Sequence, residues 1–477
     1  MPALPQGGRP IYGRPYYMAT PAAALALEFD EASTMETLYA REPVKSPNMA
    51  RPITIAALPI GEFDNELVKS EFDAILDAFK RLGLDPVLAD PISNEAEVSR
   101  AVQRLAQNNP DLLLLIALRG LSAPIMEAAG RLSRVPCLLW PIQGRFALPS
   151  SALAAGALRE AGLPVELFYA PPNHPAASQK IRSVTRAAGA YSRIRQSRIG
   201  VVGGLFPNLV SCRYDPQTVS SRLGVTLLPI PFGDVRDAMR AESLRAAEIE
   251  RARQRLASSH TVQAVETRAL DAGLALHLAL KRLAQEQGIA GFATECWSGL
   301  PRELGLNPCL GFVDDAYTLA CEGDVMLCVA LLIVRYLTGA GAYVGDVYDL
   351  DLDGVLTLTH CGAPASLASH PNRVVLAPSP LAAERGFETV TCRPQLSAGP
   401  ATIFRFYGQG CDKMHLALGE LTSSDSSANS TVRVKLNGSR WDFLDQCLGN
   451  HYLVAAGDIR DELKMLCNWL AITIFET

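Results

Sequence analysis

The sequence predicts an α/β protein with two parallel-sheet domains, followed by a C-terminal domain that contains a small antiparallel β-barrel. Three observations predict this order. Residues 51–147 alternate short apolar runs with amphipathic stretches, residues 148–340 repeat the alternation, and residues 341–477 change to short strands separated by Gly, Pro and Ser. Alternating β and α segments form parallel sheets covered by helices, whereas closely spaced strands with turn residues form sandwiches or barrels.

Residues 1–50 precede this pattern and are predicted to be an N-terminal extension. They are rich in Pro, Gly and Tyr, lack periodicity, and do not have the architecture of a signal peptide. We expect an arm or an oligomer-wrapping segment. A chain start at Met49, just before the first strand, is the alternative.

The first domain, residues 51–147, is predicted from four apolar runs and the amphipathic stretches between them. Strands are expected at residues 53–58, 86–89, 111–116 and 135–140, and helices at 62–82, 95–107 and 120–132. No Gly-x-Gly-x-x-Gly follows the first strand, which argues against a dinucleotide site.

The second domain, residues 148–340, begins with a further helix, strand and helix. A buried strand then enters Gly203-Gly204, and a long helical region, residues 232–287, is expected to break near Ser258-Ser259. Strands of the C-terminal domain, residues 341–477, are expected at 343–359, 373–378, 387–392, 401–407, 413–422 and 431–436. A helix and a last strand, 471–475, complete the chain.

Composition excludes several classes of protein. The formal net charge of −5 gives no basic excess for nucleic-acid binding, and the longest apolar runs, such as residues 325–334, are too short to span a membrane. The 11 cysteines include no Cys-x-x-Cys pair and are odd in number. This argues against a zinc cluster and a secreted disulfide framework, and favours a reducing cytoplasm.

Three acids in residues 291–339 are the first candidates for chemistry. Glu295 ends an apolar run, and Glu322 and Asp324 stand in Cys-Glu-Gly-Asp before a long apolar helix. Acids beside a buried core are usually paired or bound to a cation. The simpler interpretation is that Glu322 and Asp324 cap the helix and that Glu295 pairs with an arginine. The functional interpretation requires a distant third ligand, and His451 in Gly-Asn-His-Tyr offers one.

With Thr-Leu-Thr-His-Cys-Gly, residues 357–362, these motifs resemble the L-fucose isomerase-like family of ketol isomerases. The resemblance extends from about residue 51 and is strongest after residue 289. It implies two Rossmann-like domains and a barrel domain, and it implies that Glu295, Asp324 and His451 hold one Mn²⁺, or another divalent ion such as Mg²⁺ or Co²⁺. The chain departs from many relatives in carrying Asn450 where they have a second histidine.

The activity implied is interconversion of an aldose and a ketose through a cis-enediol, with the metal on substrate O1 and O2. Glu295 and Asp324 are predicted to move the proton, and His360, Trp297 and Asn450 to contact the sugar. The substrate is expected to be a deoxyhexose, a pentose or a sulfonated aldose such as sulfoquinovose. The resemblance also implies a homotrimer or homohexamer with active sites between subunits.

Two alternatives belong to other classes. The same scaffold could serve a non-catalytic sugar-binding or regulatory protein, or a metal-dependent aldolase or epimerase, because related metal chemistry serves those reactions. The structural alternative for His360 is a strand-end histidine bonded to the backbone, and for Trp297 it is buried packing.

Overall fold

The α/β prediction with a C-terminal antiparallel barrel is confirmed by the structure, a computed structural model that describes residues 51–243 and 245–477. The predicted N-terminal extension, residues 1–50, lies outside the described residues. None of the helices in the described part of the chain combines the length and the apolar character that a transmembrane span requires.

The first sheet has five parallel strands in the order β2-β1-β3-β4-β5. Its strands are Ile55–Ile60 (β1), Val87–Leu88 (β2), Leu112–Ala117 (β3), Cys137–Leu139 (β4) and Val165–Leu167 (β5). Its helices are Glu66–Lys80 (α1), Glu95–Ala106 (α2), Ala123–Ser133 (α3), Ala147–Glu160 (α4) and Pro175–Ile194 (α5). Every residue of the central strands β1 and β3 is buried, as expected for a parallel sheet covered on both faces. Because β5 joins this sheet, the sheet continues past the predicted domain boundary at residue 147.

The second sheet has four parallel strands in the order β10-β9-β6-β7. These are Arg198–Val202 (β6), Thr226–Ile230 (β7), Ile289–Thr294 (β9) and Thr318–Ala320 (β10). The helices around it are Pro216–Leu223 (α6), Phe232–Ser243 (α7), Ala246–Ser259 (α8), Thr267–Gln287 (α9), Gly299–Leu304 (α10) and Val325–Thr338 (α11). The predicted helical break near Ser258-Ser259 coincides with the end of α8.

The barrel has six antiparallel strands in the order β15-β18-β11-β12-β17-β16, and the pairing of β15 with β16 closes it. They are Tyr343–Leu350 (β11), Val355–His360 (β12), Gly399–Tyr407 (β15), Lys413–Asp425 (β16), Ser430–Leu436 (β17) and His451–Ala456 (β18). A last strand, Thr473–Glu476 (β19), adds in parallel to β16. Two helices accompany the barrel, Arg440–Asp445 (α13) and Arg460–Trp469 (α14).

A separate sheet has three strands in the order β14-β13-β8. Its strands are Thr261–Val262 (β8), Val374–Pro378 (β13) and Val390–Pro394 (β14), and Pro380–Glu384 (α12) connects the last two. The predicted strands near residues 373–378 and 387–392 therefore exist, but they pair with each other and with β8 instead of entering the barrel.

Helix α11 connects the second sheet to the barrel. All residues from Val325 to Leu337 are buried, and the helix contacts β9 and β10 on one side and β15 and β18 on the other. A helix that is apolar all round is typical of such a buried position. Its N-terminus therefore meets the first residue of β18, so that Asp324 and His451 become neighbours although 451 − 324 = 127 residues separate them.

Candidate metal centre

Asp324 is the N-cap of α11. Its Oδ1 accepts a hydrogen bond from the Leu327 backbone N–H at 3.0 Å, and its side chain is 1% exposed. Its Oδ2 accepts from His451 Nδ1 at 3.2 Å and lies 3.8 Å from Arg405 Nη2. Burial raises the pKa of Asp324, but the hydrogen bond with His451 and the charge of Arg405 outweigh burial and bring it down to about 2. The capping role proposed as the simpler interpretation is therefore present, together with a direct contact to His451.

His451 opens β18 and is fully buried. Its Nδ1 faces Asp324, whereas its Nε2 has no hydrogen-bond partner among the described residues. Two carboxylate oxygens lie within 4 Å of Nε2, Asp346 Oδ1 at 3.7 Å and Glu322 Oε2 at 3.9 Å. Burial lowers the pKa of His451, but hydrogen bonds with Asp324 and Cys212 and the charges of Asp324 and Glu322 raise it above its ordinary value. A buried nitrogen that is surrounded by carboxylates and lacks a partner is what a cation site presents.

Glu322 is held towards His451 by an unusual backbone. Its φ is +60°, and Gly323 follows with φ +74°. A Cβ at position 323 would lie 1.8 Å from the Gly204 carbonyl oxygen, so only glycine fits there. Strain of this kind is found at functional sites when the surroundings enforce it. The carbonyl group of Gly204 therefore packs directly against the backbone turn that carries Glu322.

His360 and Asp346 complete the surroundings of Nε2. His360 ends β12, is 6% exposed, and its ring centroid lies 5.9 Å from that of His451. Burial is the main cause that lowers the pKa of His360 to about 4, so its imidazole is neutral and able to bind a metal. Asp346 lies opposite His451 in the β11–β18 pairing. Asn450 Nδ2 donates to Asp346 Oδ1 at 2.7 Å, so the amide predicted to contact the sugar also orients this carboxylate.

Glu295 follows β9 and is 5% exposed. Its Oε1 accepts from the Ser298 backbone N–H at 2.9 Å, and its Oε2 accepts from Ser298 Oγ at 3.1 Å and from the Gly299 backbone N–H. It therefore caps the start of α10. Glu322 is near enough for the charge of Glu295 to contribute to raising its pKa, after burial and the nearer carboxylates.

Trp297 is half-buried near the same loop. One neighbour is Phe206, at 5.8 Å between ring centroids, and the other is Arg385, whose Cζ lies 4.4 Å from the indole centroid. Arg385 also donates to the Trp297 carbonyl oxygen. The indole face predicted to stack on a sugar is thus shared with a guanidinium, which is a favourable cation–π arrangement.

Within the described part of the chain, two groups of side chains bring their ligand atoms close enough to hold a metal ion. One consists of Cys212, Asp324 and His451, and the other of Glu322, His360 and His451, with the donor atoms of each group within 4.8 Å of one another. The structure thus brings together Asp324 and His451 of the predicted ligand set. Glu295 belongs to neither group.

Four residues of this centre were not predicted to act there. They are Cys212, Asp346, Arg405 and, as a metal ligand, Glu322. The sequence does contain a signal for Arg405, because this residue interrupts the apolar run Ile403-Phe404-Arg405-Phe406. A charged residue in such a strand must be buried with a partner or face a polar site. The sequence contains no such signal for Cys212 and Asp346, since they approach the centre only when distant segments of the chain fold together.

The comparison with known proteins points to sugar isomerases. The chain is 25% identical over 298 residues to the sulfoquinovose isomerases of Priestia aryabhattai and Priestia megaterium, a match covering 57% of this chain and 62% of theirs. It is 22% identical over 401 residues to the sulfoquinovose isomerase of Alkalicoccus urumqiensis, covering 77% of this chain and 86% of that protein. The chain thus matches less than two thirds of the length of the Priestia relatives. No family model matches the chain. All three of these relatives are named as isomerases, and their identity to this chain is 22–25%.

Proposed function

We propose that this protein is a divalent-metal-dependent aldose–ketose isomerase that acts on a sulfonated aldose of the sulfoquinovose type. The observation that carries the metal site is the buried Nε2 of His451, which has no partner among the described residues and faces Glu322, Asp346 and His360. The choice of substrate in this proposal is based on the names of the relatives. The buried centre between the second sheet and the barrel supplies the enclosed setting that such a reaction needs.

The residues that would hold the ion are Glu322, His360 and His451 through Nε2. A carboxylate with two imidazoles suits a first-row divalent transition metal, and Mn²⁺ is the ion of this kind that the resemblance implies. The other group is less suitable, because Arg405 Nη2 donates to Cys212 Sγ at 3.0 Å and lies 3.8 Å from Asp324, so that a protein cation already occupies that face of His451. Asp324 then holds Nδ1, and Nε2 is left for the metal.

This ligand set differs from the one that the resemblance implies, in which Glu295 and Asp324 bind the ion directly. One observation favours that alternative. The 3.2 Å between Asp324 Oδ2 and His451 Nδ1 is close to the spacing of about 3 Å expected for two neighbouring donors on one octahedral ion. Variants of Glu322 and Asp324 separate the two sets.

Isomerisation moves one proton between neighbouring carbons and another between neighbouring oxygens. A divalent ion bound here would act as a Lewis acid on two adjacent substrate oxygens. The proton carriers that we propose are Glu295 and Glu322, whose segments are joined by a hydrogen bond from the Glu322 backbone N–H to Cys296 Sγ. Glu322 replaces the predicted Asp324 in this role, because Asp324 Oδ2 accepts from His451 and lies 3.8 Å from the guanidinium of Arg405, which makes this carboxylate a poor base. The side chain of Glu322 is 13% exposed, so it can be reached from outside.

The arginine beside Trp297 fits an anionic sugar. Arg385 is half-buried, and its guanidinium covers an indole two residues after Glu295. A sulfonate binds well to a guanidinium because its oxygens accept from the planar N–H groups. We therefore propose that Arg385 contributes to recognition of the sulfonate, with Trp297 against the sugar.

A panel of aldoses tests the proposed function. The protein is incubated with Mn²⁺ and each sugar in D₂O, and products are followed by NMR. Formation of a ketose, with deuterium at C1 or with proton transfer between C2 and C1, supports the proposal, and sulfoquinovose is expected to be the best substrate. Binding without turnover would indicate a sugar-binding protein instead. Carbon–carbon cleavage would indicate an aldolase.

We further propose that the protein acts as a homotrimer or homohexamer whose sites are shared between subunits. Loops at the carboxyl end of the first sheet support this. Leu121 is 98% exposed and Phe146 is 82% exposed, and both have positive φ values, +63° and +55°. Large apolar side chains in strained, exposed loops are typical of contact surfaces.

A further inference from the structure

Arg405 is a buried cation at the point where three segments of the candidate metal centre meet. It lies on β15 with 3% of its side chain exposed. Two of its nitrogens reach the centre: Nη1 donates to the His451 carbonyl oxygen at 2.7 Å, and Nη2 donates to Cys212 Sγ at 3.0 Å. Nη2 also lies 3.8 Å from Asp324 Oδ2.

The surrounding chain is shaped to accept this side chain. A Cβ at Gly449, two residues before His451, would lie 2.8 Å from Arg405 Cζ, and Gly449 has φ +152°. Only glycine allows the backbone to pass so closely over the guanidinium. Arg405 Nε is also buried and has no partner among the described residues. The guanidinium is therefore held by its contacts with His451, Cys212 and Asp324, although one of its N–H groups has no hydrogen-bond acceptor.

We propose that Arg405 is a positioning residue for the metal histidine. This inference rests on the proposed function. Through Nη1 it fixes the backbone of His451, and Nη2 lies 3.8 Å from Asp324 Oδ2, the oxygen that accepts from His451 Nδ1. It also occupies the Nδ1 face with a fixed positive charge, which leaves the Nε2 face for the added ion. Arg405 reaches neither Glu322 nor His360 through any hydrogen bond described here, so it acts through His451.

The first test measures Mn²⁺ binding by metal-free full-length protein. Free Mn²⁺ is quantified by electron paramagnetic resonance for the wild type, Arg405→Lys and Arg405→Met. Loss of a group that orients a metal ligand typically lowers affinity about 10- to 100-fold. We expect about 10-fold weaker binding for Arg405→Lys, which keeps the charge but not both hydrogen bonds, and a larger loss for Arg405→Met.

A matched control comes from Arg335 at the other end of α11. Arg335 is 6% exposed and donates to the Asp315 carbonyl oxygen and to Thr318, away from His451. Arg335→Lys makes the same chemical change at similar burial and should leave Mn²⁺ affinity within about twofold. Thermal unfolding of all variants shows whether a loss of binding is separate from a loss of stability.

Enzyme kinetics provide a second test, because a purely structural role of Arg405 would not change the Mn²⁺ dependence of activity separately from KM for the sugar. If Arg405 acts through His451, Arg405→Lys should raise the Mn²⁺ concentration needed for half-maximal activity about 10-fold. KM for the sugar at saturating Mn²⁺ should stay within about twofold.

The outcomes separate this inference from the proposed function. Weaker Mn²⁺ binding in Arg405→Lys, but not in Arg335→Lys, supports it. Wild-type affinity in Arg405→Lys and Arg405→Met overturns it, as does an equal loss in Arg405→Lys and Arg335→Lys. Wild-type protein that binds no Mn²⁺ would overturn the proposed function and this inference together.

Discussion

At the scale of single residues, the centre divides into side chains that face a cation and side chains that hold them in place. His451 belongs to both groups, because Nδ1 is bonded to Asp324 while Nε2 is left without a partner among the described residues. The distinction matters because a ligand and its orienting partner lose different amounts of affinity when they are changed.

Glu322→Gln and Asp324→Asn are predicted to lower the affinity for Mn²⁺ by different amounts. Glu322→Gln removes a proposed ligand charge and should lower Mn²⁺ affinity by more than about 100-fold. Asp324→Asn keeps an oxygen for the Leu327 N–H and should lower affinity only about 10-fold. Calorimetric titration of the metal-free variants measures both. The reverse order would show that the ion lies in the set implied by the resemblance.

Glu295→Gln is predicted to leave a folded protein that has lost most of its activity. With its oxygen at the Oε2 position, an amide still accepts from Ser298 Oγ and the Gly299 N–H, and only the Ser298 N–H loses its acceptor. The amide cannot take up a proton, and general-base catalysis typically contributes about 10²- to 10⁴-fold in rate. The rate of ketose formation at saturating Mn²⁺ is the measurement. Ser298→Ala, which removes only the Oγ contact to Glu295, is the control and should keep activity within about 10-fold. Normal turnover by Glu295→Gln would remove Glu295 from the reaction.

The sequence located part of this site and missed the rest for a physical reason. Asp324 and Glu295 stand at the ends of apolar segments, where an acid is conspicuous, and His451 was reached through its motif. Asp346, opposite His451 in the β11–β18 pairing, could not be predicted, because barrel register is a property of the folded sheet. The sequence likewise could not show that Glu322 adopts a positive φ, which depends on the backbone packed behind Gly323.

At the scale of elements, the strands and helices that depend on local periodicity were predicted well. The buried strands β1 and β3 and the apolar helix α11 lie close to their expected bounds. Pairing was predicted less well. Strands β13 and β14 were assigned to the barrel, but they pair with β8 from more than 100 residues earlier, and no local pattern encodes such a partner.

The barrel is predicted to lose stability as the pH falls from about 6.5 to about 4. His415 lies inside it, bonded to Tyr452 at 2.7 Å and to Thr477 at 3.0 Å. Burial lowers the pKa of His415 to about 4, against about 6.5 in an unfolded chain. The unfolded state therefore binds more protons in this window, and the free energy of unfolding falls by about 3 kcal/mol across it.

Urea unfolding at several pH values measures this contribution. His415→Gln keeps a polar side chain without a titrating ring, so its free energy of unfolding should fall less steeply than that of the wild type between pH 6.5 and 4. Parallel curves for the two proteins would show that His415 does not titrate on unfolding. Because Tyr452 follows His451 directly, protonation of His415 should also destabilise the candidate metal centre.

At the scale of the whole molecule, the function depends on how two architectures meet. The second sheet supplies Glu295 and Glu322 at the carboxyl ends of β9 and β10, where parallel sheets place their ligands. The barrel supplies His360, Asp346 and His451. Neither part holds the centre alone, so the proposed reaction requires both the second sheet and the barrel.

The shared-site assembly makes a prediction at this scale. Leu121→Ser and Phe146→Ser should shift the protein toward smaller species and reduce activity, because they weaken the proposed contact between subunits. Light scattering coupled to gel filtration measures the mass. Leu132→Ser is the control, since Leu132 is 53% exposed near the end of α3, away from those loops. An unchanged mass for both loop variants would mean that this surface does not hold the subunits together.

The most direct test of the account is Mn²⁺ binding by metal-free wild-type protein and by His451→Gln. We predict one ion per chain in the wild type and loss of that ion in His451→Gln, with an unchanged circular dichroism spectrum. Equal binding by the two proteins, or no binding by the wild type, would contradict the claim that His451 is the centre of a metal site.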